Sequence, residues 1–163
     1  DPTDALGTQS LMLNLMPEGT TSRNSRQIAE ESERLGASIS TGAGMDRTAF
    51  TLGALTVNLA PSLDLLSDIV RNPAFAPQEV ERLRAVQLNR IASEQTQPGG
   101  MAARVLPGVL WGKDHPYAVP GSGTGDASTV KALTPDALRA FHQRWLRPDT
   151  ARIFVAGTKT SSS

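Results

Sequence analysis

The chain has only two imidazoles, His115 and His142, and no cysteine. A helical zinc site needs a second His or a carboxylate one turn away on the same face. Neither histidine has one: Trp111 and Val119 flank His115 at that spacing, and Leu138 and Leu146 flank His142. His142 stands on the flank of an amphipathic stretch beside Trp145, where packing or surface exposure is expected. His115 precedes Pro116-Tyr117 in a turn-rich stretch and reads as a structural hydrogen-bonding residue. "GSGTGD", Gly121 to Asp126, has the composition of a phosphate-cradling loop. Such a loop needs a strand before it and a helix N-terminus directly after it. "HPYAVP" precedes it, so a flexible connection is expected. The chain has many serines but no G-x-S-x-G elbow to activate one of them. Without cysteine, disulfides and thiolate-metal sites are excluded.

The balance of charge narrows the partners. Sixteen basic residues offset sixteen acidic ones, which leaves no electrostatic footprint for nucleic acid or an anionic membrane. No apolar run reaches the roughly 18 residues of a membrane span. The sequence opens on Asp1-Pro2 and closes on Ser161-Ser162-Ser163 without an initiator Met. It reads as a fragment or a mature piece, and the missing targeting signal carries no weight.

The elements that must position any chemistry follow from periodicity. A first helix is expected from an N-cap at Asp4 to about Met16. Leu6, Leu11, Met12, Leu13, Leu15 and Met16 cover most of its circumference, so burial on nearly all sides is expected. Pro17 and Gly19 end it. A second helix spans Ser25 to Leu35 and stops at Gly36. "ASISTGAG" and "RTAFTLGAL" then alternate around Gly44-Met45-Asp46, which predicts a hairpin. Helical period returns at Leu59, Leu63, Leu66 and Val70, then from Pro77 to Thr96, where Val80, Leu83, Leu88 and Ile91 are the apolar positions. It returns again from Gly99 to Leu110, with a kink expected at Pro107. After the turn-rich residues 112–127 comes "TPDALRAFHQRWL", with Thr134 as N-cap and Pro135 in the first turn. "ARIFVAG", 151–157, reads as a last strand. The expected class is α+β, with helices packed on one face of a mainly antiparallel sheet.

The order of these segments resembles a known family. "MPEGTTSRNSRQIAEESERLGASISTGAGMDRTAFTL", "LDLLSDIVRNPAFAPQEVERLRAVQLNRI", "WGKDHPY" and "LTPDALRAFHQRWLRPDTARIFVAG" resemble the insulinase-like (pitrilysin, or inverzincin) metallopeptidases across nearly the whole chain. The processing-protease-type branch, related to mitochondrial processing peptidase and the respiratory complex III core subunits, is the most similar. The resemblance implies one metallohydrolase lobe over residues 1–163, lacking the first strands of a full lobe.

Active members carry H-x-x-E-H on the helix ending in the Gly-Thr stop, with two His on zinc and the Glu as general base. Aligned on Gly19-Thr20, the His positions fall on Ser10 and Asn14 and the Glu position on Leu13. The distal acidic ligand would fall within Gln87 to Arg90, "QLNR", where no residue is acidic. Hydroxyl, amide and aliphatic groups do not replace imidazole and carboxylate on Zn²⁺. No catalytic residue, metal or cofactor is therefore expected here, and zinc is expected only in an active partner lobe.

The resemblance also implies peptide handling. Family members bind substrate as an added strand beside the zinc helix, and the corresponding stretch is Ser40, Thr41, Gly42, Ala43 and Gly44. An ordinary hairpin strand with small residues for packing is the competing reading, and Gly42→Pro is expected to weaken any edge pairing. The implied role is a non-catalytic lobe or subunit that supports peptide binding and assembly with an active zinc-bearing partner. Two alternatives are a stand-alone assembly module and an active zinc peptidase with atypical ligands. Extended peptide, a partner lobe and a second copy of the chain are the implied partners. A bacterial periplasmic or cell-envelope location is the implied compartment.

Overall fold

A computed structural model describes residues 5–112 and 114–157. Helix α1 (Thr8–Leu15) runs through the middle of the core. Leu11, Met12, Leu13, Leu15 and the following Met16 are all at most 2% exposed. The expected start at Asp4 lies outside the described residues. Leu6 precedes the helix and is half-buried. The helix begins after Gly7, whose backbone is left-handed at φ 96°. A Cβ at Gly7 would stand 2.6 Å from the Thr124 carbonyl. A loop from far along the chain therefore crosses the start of α1, and only glycine admits the approach.

Helix α2 (Ser25–Leu35) obeys its local code. Asn24 and Gln27 form a reciprocal capping box, with both bonds at 2.9 Å. Gly36 at φ 62° closes the other end, and Ala37 N–H donates to the Ser32 carbonyl. Strands β1 (Ser38–Ala43) and β2 (Thr48–Gly53) form the expected antiparallel hairpin, with Thr41 opposite Phe50 and Gly42 opposite Ala49. Its inner face, carrying Ile39 and Phe50, packs on the core around α1. Gln9 of α1 donates to Thr48 Oγ1 at 2.9 Å.

Helix α3 (Leu59–Arg71) is present, but on a different face from the one expected. Ser62, Leu65 and Ile69 are buried, whereas Leu59 and Leu63 are exposed. Two apolar rows share this helix, and Ser62 can be buried because its hydroxyl donates to the Asn58 carbonyl at 2.7 Å. Helix α4 (Pro77–Thr96) follows as predicted. Helix α5 (Pro98–Trp111) continues through Pro107 and buries none of its residues.

Two short segments near the C-terminal end differ from the sequence pattern. Residues 127–132 form helix α6 (Ala127–Ala132), entered from Asp126, which the sequence pattern did not suggest. Helix α7 (Pro135–Trp145) is capped by Thr134, which accepts from Ala137 N–H at 3.1 Å. Residues 151–157 are not a strand. Ile153, Phe154 and Val155 are more than 80% exposed. A strand needs a neighbour for its backbone groups, and among the described residues the sheet consists of β1 and β2 alone. The class remains α+β, with helices gathered against one face of a small antiparallel sheet.

Candidate functional site

The helix that would carry H-x-x-E-H crosses α4, and the two helices open a cleft of about 390 Å³ between them. Ser10, Leu13 and Asn14 from α1 line it, as do Gln87 and Arg90 from α4 and Thr41 from β1. The stretch aligned with the distal ligand therefore does face the α1 positions, through Gln87 and Arg90; Leu88 and Asn89 take no part. The structure brings Ser10, Leu13 and Asn14 of α1 together with Gln87 and Arg90 of α4. What stands there is a hydroxyl, an aliphatic group, an amide on each helix and a guanidinium. None is a zinc ligand, so the residues present do not fit the metal. Among the described residues, no group of three His, Cys, Asp or Glu side chains could hold an ion.

Gln87 is the residue that sequence reasoning missed. It lies one turn from both Leu83 and Ile91 on the buried side of α4 and is only 5% exposed. Its Nε2 donates to the Gly7 carbonyl at 3.0 Å and the Thr124 carbonyl at 2.8 Å, while Oε1 has no hydrogen-bond partner. The signal available was a polar residue in the core row Val80, Leu83, Gln87, Ile91.

The loop 121–126, expected to be a flexible connection, is pinned. Thr124 is buried, and its hydroxyl donates to Glu94 at 2.9 Å. Arg104 joins Glu94 at 2.9 Å, the Gly125 carbonyl at 2.7 Å and Asp126 at 3.0 Å. Burial alone would raise the Glu94 pKa, but the bonds from Thr124, Arg104 and Ser122 outweigh it and hold the carboxyl below its ordinary value. Glu94 is thus an ionised structural anchor for the loop, not a vacant metal ligand.

Both histidines are structural. His142 Nε2 bonds the Val70 carbonyl at 2.7 Å, and its ring meets Phe75 edge-on. The His115 ring stacks on Trp111, and its Nδ1 accepts from Tyr117 N–H at 3.1 Å.

The strip from Ser40 to Gly44 divides by register. Gly44 N–H donates to the Arg47 carbonyl at 2.9 Å. Gly44 therefore belongs to the turn and marks a hydrogen-bonded pair. Antiparallel alternation then turns Ser40 and Gly42 toward β2 and leaves Ile39, Thr41 and Ala43 with backbone groups on the outer edge. Gly42→Pro would break the hairpin ladder rather than the outer edge, so that expectation is corrected. A Cβ at Gly42 would meet Ala49 only at an ordinary 3.8 Å, so packing alone does not demand glycine there. Thr41 belongs to both features, the outer edge and the cleft.

The family profile described as "Insulinase (Peptidase family M16)" matches residues 1–112. An uncharacterized zinc protease from Rickettsia felis is 28% identical over 140 residues, covering 86% of this chain. One from Mycobacterium leprae is 28% identical over 151 residues, covering 93%. The chain spans about a third, 33%, of each of these curated relatives. Among solved structures, a peptidase M16 inactive domain from Pseudomonas fluorescens superposes with a TM-score of 0.78 at 30% identity, over 85% of this chain and 33% of that one. Pitrilysin has the same fold at a TM-score of 0.69 and 22% identity, over 90% of this chain and 16% of that one. With its profile match over more than two thirds of its length, the chain belongs to the insulinase family of peptidases, peptidase family M16.

Proposed function

We propose that this chain is a non-catalytic, peptide-holding lobe of an insulinase-family metallopeptidase, working beside a zinc-bearing lobe or subunit. The cleft between α1 and α4 carries the reading. It is lined by Ser10, Leu13, Asn14, Gln87 and Arg90, and the resemblance sets two ligands and a base at Ser10, Asn14 and Leu13 and a carboxylate within Gln87 to Arg90. Leu13 cannot take a proton from water, and neither a hydroxyl nor an amide holds zinc against solvent. What remains functional is the outer edge of β1, where an extended peptide adds as a strand through backbone bonds that require no particular side chain. The Pseudomonas fluorescens relative, described as an inactive domain, supports the same reading. A relative with this fold, the Escherichia coli protease PqqL, is described as periplasmic, and we extend that compartment to this chain.

The test is metal analysis with a fluorogenic peptide assay and a binding titration. The purified chain should hold no stoichiometric zinc and cleave nothing, yet bind an extended peptide. Ala43→Pro, which removes an outward backbone donor while leaving the β2 ladder intact, should weaken that binding about tenfold. Stoichiometric zinc with chelator-sensitive cleavage would overturn the reading. One observation favours the second reading, a stand-alone assembly module: α5 exposes Val105, Val109, Leu110 and Trp111 together. Failure to bind any extended peptide would move the assignment there.

A further inference from the structure

Helix α5 has two unlike sides. Its inner side is fixed by α4 and by the loop that follows: a Cβ at Gly100 would collide with the Glu94 backbone. One turn on, Arg104 reaches Glu94 at 2.9 Å and Asp126 at 3.0 Å. Arg104 is the only charged residue of the helix, so its charge is used inward. The outer side is apolar along its whole length. Met101, Val105 and Val109 form one ridge at four-residue spacing, and Ala102, Leu106 and Leu110 form the next. All six are exposed, Val105, Val109 and Leu110 by more than 60%.

Charge selects the partner. A symmetric contact sets each residue near its own copy, so a face that carries charge repels itself. Helices α2, α3, α4 and α7 each carry both acidic and basic residues, whereas the outer face of α5 has no charge to repel or to leave unpaired. The chain's formal net charge of zero adds no long-range repulsion between copies. A lipid surface favours apolar helices flanked by outward Lys or Arg, and α5 offers none.

Area sets the strength. Fourteen residues make a helix about 21 Å long. A contiguous apolar patch on a monomer measures about 300–600 Å². Two of them bury at most about 1,200 Å², the lower end of specific interfaces. The association is therefore reversible, with a dissociation constant in the micromolar range.

We propose that the outer face of α5 pairs with α5 of a second copy of the chain about a twofold axis. The four-residue ridges of each helix seat in the grooves of the other at a crossing angle of about −50°. The axis passes the middle of the face, beside Val105 and Leu106, so each of these meets its own copy. No residue of α5 lines the cleft between α1 and α4, and the pairing is independent of the peptide-holding reading.

The test is sedimentation velocity of the full 163-residue chain across micromolar concentrations, with and without phosphatidylcholine/phosphatidylglycerol vesicles. The chain should pass from monomer to dimer and stop there. Val105→Glu and Val105→Lys change an exposed position and should each leave a monomer. An equimolar mixture of the two should form dimer again, because opposite charges then meet at the axis. The chain has no cysteine, so Leu106→Cys introduces a single thiol that a short bismaleimide should capture as a dimer. Glu30→Cys, an exposed position on α2, should not be captured. A monomer at every concentration would overturn the proposal, as would growth beyond the dimer or vesicle binding without dimer. So would a mixture that stays monomeric, or Leu106→Cys captured no better than Glu30→Cys. A dimer that survives Val105→Glu and is lost in Ala43→Pro would move the contact to β1 and overturn it too.

Discussion

Helices α1 and α5 are both rich in large apolar residues, and they have opposite fates. Helix α1 buries Leu11, Met12, Leu13 and Leu15 almost completely, while α5 leaves Val105, Leu106, Val109, Leu110 and Trp111 each more than half exposed. Composition does not separate them; position does. The core around α1 draws on the hairpin, α2, α3, α4 and α7, so each of these buried side chains has a neighbour. Helix α5 follows α4 after a one-residue break at Gln97, and its apolar residues have no second layer among the described residues. A helix is buried by what the rest of the chain can bring to it, and contiguous apolar surface left over marks an interaction surface.

Cutting into each helix should give the largest contrast. Leu15→Ala removes a fully buried side chain and should cost about 2–5 kcal/mol. Val109→Ala should fall within about 0.5 kcal/mol of the parent. Urea denaturation midpoints measure both, and a near-neutral Leu15→Ala would mean that α1 is peripheral after all.

Glycine substitutions should sharpen the same contrast, with opposite signs. Gly7→Ala forces a side chain into a left-handed backbone and against the Thr124 carbonyl, at an expected cost of about 1–3 kcal/mol. Gly108→Ala in α5 meets nothing within 4 Å and should stabilise the helix by about 0.5–1 kcal/mol. Thermal melts of the pair would show whether α5 is folded as a helix in the isolated chain, since an unfolded α5 would not gain from alanine.

Acid should loosen the clamp that follows α1. Burial would raise the pKa of Asp68, but bonds from Asn72, Thr20 and Ser22 and the Arg23 ion pair bring it down to about 2, below its ordinary 3.8. A depressed carboxyl stabilises the fold above its unfolded value, and that contribution disappears as the pH falls through the folded one. The clamp that holds residues 20–23, just past α1, onto α3 is therefore at full strength above about pH 4 and lost toward pH 2, a change of about 1–2 kcal/mol. Asp68→Asn should flatten that part of the stability profile. An unchanged acid slope would mean that other carboxylates carry it.

How much of this was legible depended on how local each signal was. The Ser25–Leu35 helix with its Gly36 stop, the Pro77 start and the Thr134 cap are decided within a few residues, and they fell where the sequence put them. Residues 151–157 have strand-like composition, but pairing is decided by a distant partner, and composition cannot supply one. On α3 two rows of apolar residues were equally periodic; the choice between them rests on Ser62 reaching the Asn58 carbonyl, which periodicity does not contain. At the site, the structure places Ser10, Leu13 and Asn14 around one cleft with Gln87 and Arg90, but not with Leu88 or Asn89. The resemblance could not pick Gln87, because an orphaned acceptor exists only once Gly7 and Thr124 have claimed the other half of the amide.

The smallest effect on stability should come with a visible effect on association. Two surfaces compete to explain any self-association of this chain, the outer edge of β1 and the apolar face of α5. An unpaired edge recruits another strand through backbone groups, so Ala43→Pro should suppress association if the edge is responsible. The α5 face acts through side chains, so Val109→Ser with Leu110→Ser should suppress it if that face is responsible. Because both residues are more than 60% exposed, the double change should shift stability by no more than about 0.5 kcal/mol for each residue. Sedimentation velocity at several concentrations separates the cases. We expect the serine pair to suppress association more than Ala43→Pro does, since β1 offers an edge of only six residues, whereas a contiguous apolar patch on a helix drives association through buried side-chain surface. Association abolished by Ala43→Pro and untouched by the serine pair would reverse the comparison, making β1 the adhesive surface and α5 merely exposed.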